Sequence, residues 1–205
     1  MTGRSIAAVV FDIGGVLLDW DPRYLYRQLF DDPAEMDDFL SQICTPQWHL
    51  SHDLGAAIEP SCRELARLHP DRAELIMAWA RRGEEMIGGQ LDDTVDVLAE
   101  LTAAGMRCLA LSNMEAEKFV LRRSRYPFFE WFDGHVISGI EGVAKPDPHI
   151  FEILLSRYGL APETTVFIDD AERNVTAARQ LGIVALRHTT AAQLRQDLRG
   201  LGVSV

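Results

Sequence analysis

Five short apolar runs, separated by helix-like stretches, restrict what this chain can fold into more than any other feature. They are IAAVVF (residues 6–11), MRCLAL (106–111), HVISG (135–139), TVFI (165–168) and IVALR (183–187). Each is too short for a buried helix and too continuously apolar for a strand with one wet face. A strand buried on both faces needs helices above and below it, so the alternation predicts an α/β fold with a parallel sheet. The helix punctuation agrees. Asp93 is placed to cap TVDVLAELTAA and Gly105 to stop it; Pro148 opens HIFEILLSRY, Gly182 follows AERNVTAARQL, and residues 190–200 form a last amphipathic helix.

The first two runs are too far apart for a simple crossover. Between them lie PRYLYRQLF, AEMDDFLSQI, PSCRELARLH and AELIMAWARRGEEMI, all helical in pattern, with QWHLSHDLGAAI as an irregular link and no convincing strand. The expected organisation is therefore a Rossmann-like core of residues 1–19 and 89–205, with residues 20–88 as an inserted α-helical lobe.

In open parallel sheets, ligands bind beyond the carboxyl ends of the strands. Asp12 follows the first run, Ser112 and Asn113 the second, Lys145 lies in a loop after the third, and Asp169 and Asp170 follow the fourth. Together they offer carboxylates for a hard cation, a hydroxyl for an anion and a fixed ammonium, which is the equipment of phosphate chemistry. Each also has a plainer reading. Asp12 is a turn former before Gly14 and Gly15. Ser112 opens Ser-Asn-Met-Glu, a capping box, and Asp170 is placed to cap the next helix. Lys145 taken alone is an ordinary surface charge. The order of the four groups along the chain is more specific than any one of them.

Composition removes other classes of function. Lys and Arg total 20 against 31 Asp and Glu, a net charge of −11 that disfavours nucleic acid and anionic membrane surfaces. Cys44, Cys62 and Cys108 lack metal-binding or disulfide spacing, which suits reduced thiols in the cytoplasm. The first apolar run ends at Asp12, far short of the roughly 18 residues of a membrane span, so no signal or anchor is expected. No feature of the sequence speaks to oligomeric state.

In order, FDIGGVL, ALSN, AKPDP and FIDDAERN resemble the four motifs of the haloacid dehalogenase-like hydrolases, and the long insertion resembles that family's helical cap. The resemblance implies that Asp12 is the nucleophile and a Mg²⁺ ligand, with the Gly14 carbonyl, Asp169 and Asp170 completing the metal site. Ser112, Asn113 and Lys145 would hold the phosphoryl group of a small phosphorylated metabolite. The family's phosphatases usually carry a second Asp two residues after the nucleophile as general acid and base, where this chain has Gly14. His49, His52 and Asp53 are candidate substitutes, although packing or plain exposure is the ordinary reading of any one of them taken singly.

Two rivals remain. A haloacid dehalogenase would use the same Asp without metal, but dehalogenases resemble one another in lacking the acidic pair and in placing a water-activating Asp further on, where this chain has Asn174. A phosphate-sensing or phospho-accepting module, as in response-regulator receivers, places its acidic pair first and its acceptor Asp later, the reverse of the order here. A catalytically weak phosphate binder is the remaining variant of that reading.

Overall fold

The structure, a computed structural model, describes residues 5–205. Residues 1–4 of the expected first core segment lie outside the described residues. The strands are β1 (Ala8–Phe11), β2 (Leu18–Trp20), β3 (Ile87–Gln90), β4 (Arg107–Ser112), β5 (Gly134–Ile137), β6 (Thr165–Asp169) and β7 (Val184–Arg187). The α-helices are α1 (Arg23–Tyr26), α2 (Pro33–Gln42), α3 (Pro46–Asp53), α4 (Ile58–Leu68), α5 (Ala73–Arg82), α6 (Asp92–Ala103), α7 (Ala116–Arg125), α8 (Ser138–Glu141), α9 (Pro148–Tyr158), α10 (Glu172–Gln180) and α11 (Ala191–Gly200).

Five strands form a parallel sheet in the order β5-β4-β1-β6-β7, so the strand carrying Asp12 at its end is central. The continuous apolar runs have the expected cause. Val9 and Phe11 pack on one face of the sheet with Cys108, Ala110, Val166 and Ile168, beneath α6 and α11. Val10, Leu109, Leu111 and Phe167 pack on the other, beneath α9 and α10. Every residue of β1 is fully buried, and burying a Val or Phe side chain contributes about 1.5–3 kcal/mol. The side-chain alternation of a strand thus feeds two cores at once.

The segment between β2 and β3 carries α1 to α5 and has its own apolar cluster, centred on Leu25, Tyr26, Phe39, Ile76 and Trp79. Here the sequence reading needs correction. The stem of this insert is an antiparallel ribbon of β2 and β3, with Leu18 opposite Gln90 and Trp20 opposite Ile87, where no strand was expected. The expected boundaries at 19/20 and 88/89 fall inside it. The irregular link is α3, opened by the Thr45 hydroxyl, which accepts the Trp48 N–H at 3.0 Å, and by Pro46 at the first helical position.

Three caps also differ from expectation. Helix α6 starts at Asp92, so Asp93 lies in its first turn, where its charge favours the helix dipole without capping it. Ser112 ends β4 and α7 begins only at Ala116, so the Ser-Asn-Met-Glu stretch is not a capping box. Ala171, not Asp170, precedes α10, and its N–H is taken by Asp169 at 2.9 Å. The third run turns into α8 after Ile137. Cys44, Cys62 and Cys108 are free and buried. Among the described residues, no helix is long and apolar enough to cross a membrane.

Candidate active site

The parallel sheet delivers the ends of β1, β4 and β6 to one rim, and Lys145 reaches it from the loop between α8 and α9. Lys145 is 2% exposed and all three of its ammonium N–H groups are used: it donates to the Leu111 carbonyl at 2.9 Å, to Asp12 Oδ1 at 2.9 Å and to Asp169 Oδ2 at 2.7 Å. Burial opposes its charge, but the two carboxylates outweigh burial and the ammonium pKa is raised. Lys145 is therefore a fixed buried cation. The plainer reading of it as a solvated surface charge does not hold.

The loop that carries Lys145 is tied down by Asn113. Its carboxamide accepts the Lys145 N–H at 2.8 Å and donates to the Lys145 carbonyl at 2.9 Å. Next to it, the Met114 N–H donates to the Ser138 hydroxyl at 2.9 Å, which fixes the turn after Ser112. Ser112 itself is buried at the cavity wall.

Asp12, Asp169 and Asp170 each offer a carboxylate oxygen, and the three oxygens lie within 4.8 Å of one another. They differ in how they are held. Asp169 is fully buried and saturated: besides Lys145 and the Ala171 N–H, the Asn174 carboxamide donates to both of its oxygens at 3.0 Å. Asp170 is exposed to the cavity and packs over Gly15, where an added Cβ would come within 2.7 Å of its carboxylate. Gly15 also has φ +72°, so close approach and backbone conformation both demand glycine there. Burial first, and then the neighbouring carboxylates, push Asp12 up to about 7 against the pull of Lys145. The Asp170 carboxyl is raised as well, by burial and then by Asp169.

A cavity of about 250 Å³ lies between this rim and the helical insert. Asp12, Ser112, Lys145 and Asp170 form its floor, and His49, Asp53, Trp20 and Trp79 come from the insert and its stem. His49 stacks on Trp20 with ring centroids 5.0 Å apart, and its Nε2 lies 3.9 Å from both Asp53 Oδ1 and Glu115 Oε1. Burial holds the His49 imidazole down at about 4, with Glu115 opposing. His52 does not reach this cavity: it is fully buried, edge-on to Trp48. The rim residues named from sequence thus converge, and two of the three substitute acids, His49 and Asp53, join them.

Sequence reasoning missed Ser138, Glu115 and the far wall of the cavity, where Glu84 pairs with Lys118 at 3.1 Å and with Arg122 at 3.6 Å. Glu115 sat inside the apparent capping box, which masked it. Ser138 lay in a run read as strand, and nothing local marks the Glu84 pairs.

The family model for haloacid dehalogenase-like hydrolases matches residues 6–182. A sesquiterpene phosphatase of Aspergillus oryzae is 27% identical over 208 residues, covering 96% of this chain and 97% of its own. A haloacid dehalogenase-like family enzyme of Bacteroides thetaiotaomicron superposes with TM-score 0.72 at 20% identity, over 96% of this chain and all of that one. The same protein, crystallised with magnesium and inorganic phosphate, gives TM-score 0.68 over 91% of this chain and 96% of that one. The L-2-haloacid dehalogenase of Xanthobacter autotrophicus is similar at TM-score 0.62 and 19% identity, over 98% of this chain and 85% of that one. With the family match spanning most of its length and an α/β sheet that delivers the four motifs to one rim, the chain belongs to the haloacid dehalogenase-like hydrolases.

Proposed function

We propose that this hydrolase is a Mg²⁺-dependent phosphatase of small phosphomonoesters, with residues 1–19 and 89–205 as its core and residues 20–88 as a cap over the substrate. The observation that carries the reading is the carboxylate cluster of Asp12, Asp169 and Asp170 around one buried lysine. Three carboxylates packed this closely are costly without a cation: burial raises the Asp12 and Asp170 pKa values first, and the charge of Asp169 adds to the rise in both. An all-oxygen donor set suits a hard cation such as Mg²⁺. Asp12, the Gly14 carbonyl and Asp170 would hold it, with Asp169 adding its charge. When bound, Mg²⁺ would screen the phosphate from the carboxylates and neutralise charge during transfer.

The rest falls to the chain's own groups. Both holds on Asp12, from the Ile13 N–H at 2.7 Å and from Lys145, fall on Oδ1, which leaves Oδ2 to attack phosphorus. The attack gives an aspartyl phosphate and expels the alcohol, and water then releases phosphate. Lys145 places a positive charge beside the transferred group. The Ser112 hydroxyl and the Asn113 backbone N–H would bind phosphoryl oxygens, because the Asn113 carboxamide is occupied with the Lys145 loop.

Other observations support the class of substrate. The cavity is sized for a metabolite, and the net charge of −11 disfavours nucleic acid and anionic membranes. The Aspergillus relative is named a phosphatase and the Bacteroides enzyme holds magnesium with phosphate. Free, buried thiols fit the reducing cytoplasm. The dehalogenase reading draws on Gly14 and on the Xanthobacter neighbour, but the acidic pair and the use of Asn174 as a clamp on Asp169 weigh against it. A panel of small phosphomonoesters and 2-haloacids, assayed side by side with Mg²⁺, separates the two. Phosphate release without halide release is expected; halide release alone would replace this reading with the dehalogenase one.

A further inference from the structure

Resting on the phosphatase reading, the remaining chemical question is which group protonates the departing alcohol, since position 14 offers no carboxyl. The fold does not force that absence. Gly14 has no positive φ, and a Cβ there would meet nothing closer than Trp20 Cβ at 4.0 Å. An acid supplied by this chain would stand elsewhere on the cavity wall.

We propose that Asp53, from the end of α3, is the general acid and base of this hydrolase, acting across the cavity on the oxygen that leaves from and later attacks the phosphoryl group on Asp12. Asp53 lines the same cavity as Asp12, Ser112 and Lys145. It is 7% exposed, and its Oδ1 is buried with no hydrogen-bond partner. With Oδ1 closed off on the side of His49, Oδ2 is the oxygen left to meet a substrate ester oxygen in the cavity.

The neighbours of Asp53 favour the protonated form. Burial first, then the charges of Glu115 and Asp12, push its carboxyl up to about 8, with Lys145 and Arg122 pulling the other way. Burial holds the adjacent His49 imidazole in its neutral form, so it is not the group that offers a proton. His49, stacked on Trp20, stands 3.9 Å from Asp53 Oδ1, beyond hydrogen-bond reach.

The step balances without any co-reactant. As Asp12 Oδ2 bonds to phosphorus and the ester P–O bond breaks, the Asp53 proton passes to the leaving oxygen, giving a neutral alcohol and an Asp53 carboxylate. In the second half, that carboxylate takes a proton from the water attacking phosphorus. Inorganic phosphate leaves, Asp12 is restored, and Asp53 is protonated again.

The test is a leaving-group series of phenyl, 4-nitrophenyl and 2,4-dinitrophenyl phosphate, read as kcat/KM for the wild-type chain, D53N and the double variant G14D/D53N. General acid help is commonly worth about 10²–10⁴ in rate. D53N should therefore lose on the order of 10²-fold or more on phenyl phosphate and less than about tenfold on the dinitrophenyl ester, which needs little protonation. G14D/D53N should recover part of the loss on phenyl phosphate, because a side chain fits at position 14. A loss equal across the series, including complete loss on all three esters, or no loss on phenyl phosphate, overturns the assignment of Asp53. A wild-type chain that cleaves none of the three overturns the phosphatase reading and this assignment with it.

Discussion

Replacing Asp12 by Asn is expected to lower turnover of phosphomonoesters by roughly 10³-fold or more and to leave the fold in place. The substitution keeps the shape of the side chain at the end of β1 and removes the charge that attacks. It also takes one carboxylate out of a crowded cluster, so little stability is at stake. Lys145 loses one counter-charge but keeps Asp169 at 2.7 Å and the Leu111 carbonyl at 2.9 Å, and the crowding around Asp169 and Asp170 eases. The outcome differs from that of removing Lys145, which would strand two buried carboxylates; breaking a buried pair in this way costs about 3–5 kcal/mol. Steady-state kinetics with thermal melting checks the expectation. Near-normal turnover in D12N would end the assignment of Asp12 as nucleophile.

Removing Mg²⁺ is expected to be as damaging as removing the nucleophile. With excess EDTA, turnover falls to background and returns on adding Mg²⁺. The cluster explains the requirement: without a cation, Asp12, Asp169 and Asp170 present an anionic rim that repels the phosphate, and burial first, with the neighbouring carboxylates, raises the Asp12 carboxyl against the pull of Lys145. Asp170 is the rim carboxylate most open to the cavity, and D170N should raise the Mg²⁺ concentration for half-maximal activity. Loss of even an outer-shell partner commonly costs about 10–100-fold in metal affinity, and a direct ligand should cost at least that. A Mg²⁺ titration of wild type and D170N decides it. Full turnover in EDTA would remove the metal from the account.

Much of the core was legible because burial on both faces leaves a local mark. Val9, Val10 and Phe11 are all apolar for the simple reason that both neighbouring layers need them. The stem of the insert left no such mark. Strand β2 has three residues and β3 reads Ile-Gly-Gly-Gln, so pairing between them overrides weak strand propensity. Helix α3 has buried residues on no regular stripe, and only its Thr45-Pro46 opening signalled it.

The site divides along the same line. Asp12 and Asp170 follow β1 and β6 directly, and Ser112 and Asp169 are the last residues of β4 and β6, so the rule that ligands bind at strand ends reaches them. The hold of Asn113 on the Lys145 backbone and the meeting of Asp53 with Glu115 are contacts between distant segments, and the clamp of Asn174 on Asp169, though only five residues apart, joins the end of β6 to α10. No spacing rule encodes these. The apparent capping box at Ser112 shows the converse error, in which a valid local pattern was overruled because β4 runs on to pair Ser112 with Ile137.

The central claim is that Asp12 carries the phosphoryl group between the two halves of the reaction. The most direct measurement is peptide mass spectrometry of the chain quenched in acid during turnover of a phosphomonoester with Mg²⁺. The account predicts one added phosphoryl group on the peptide containing Asp12, absent when Mg²⁺ is withheld and absent in D12N. Turnover that proceeds with the phosphoryl group on a different residue would contradict it.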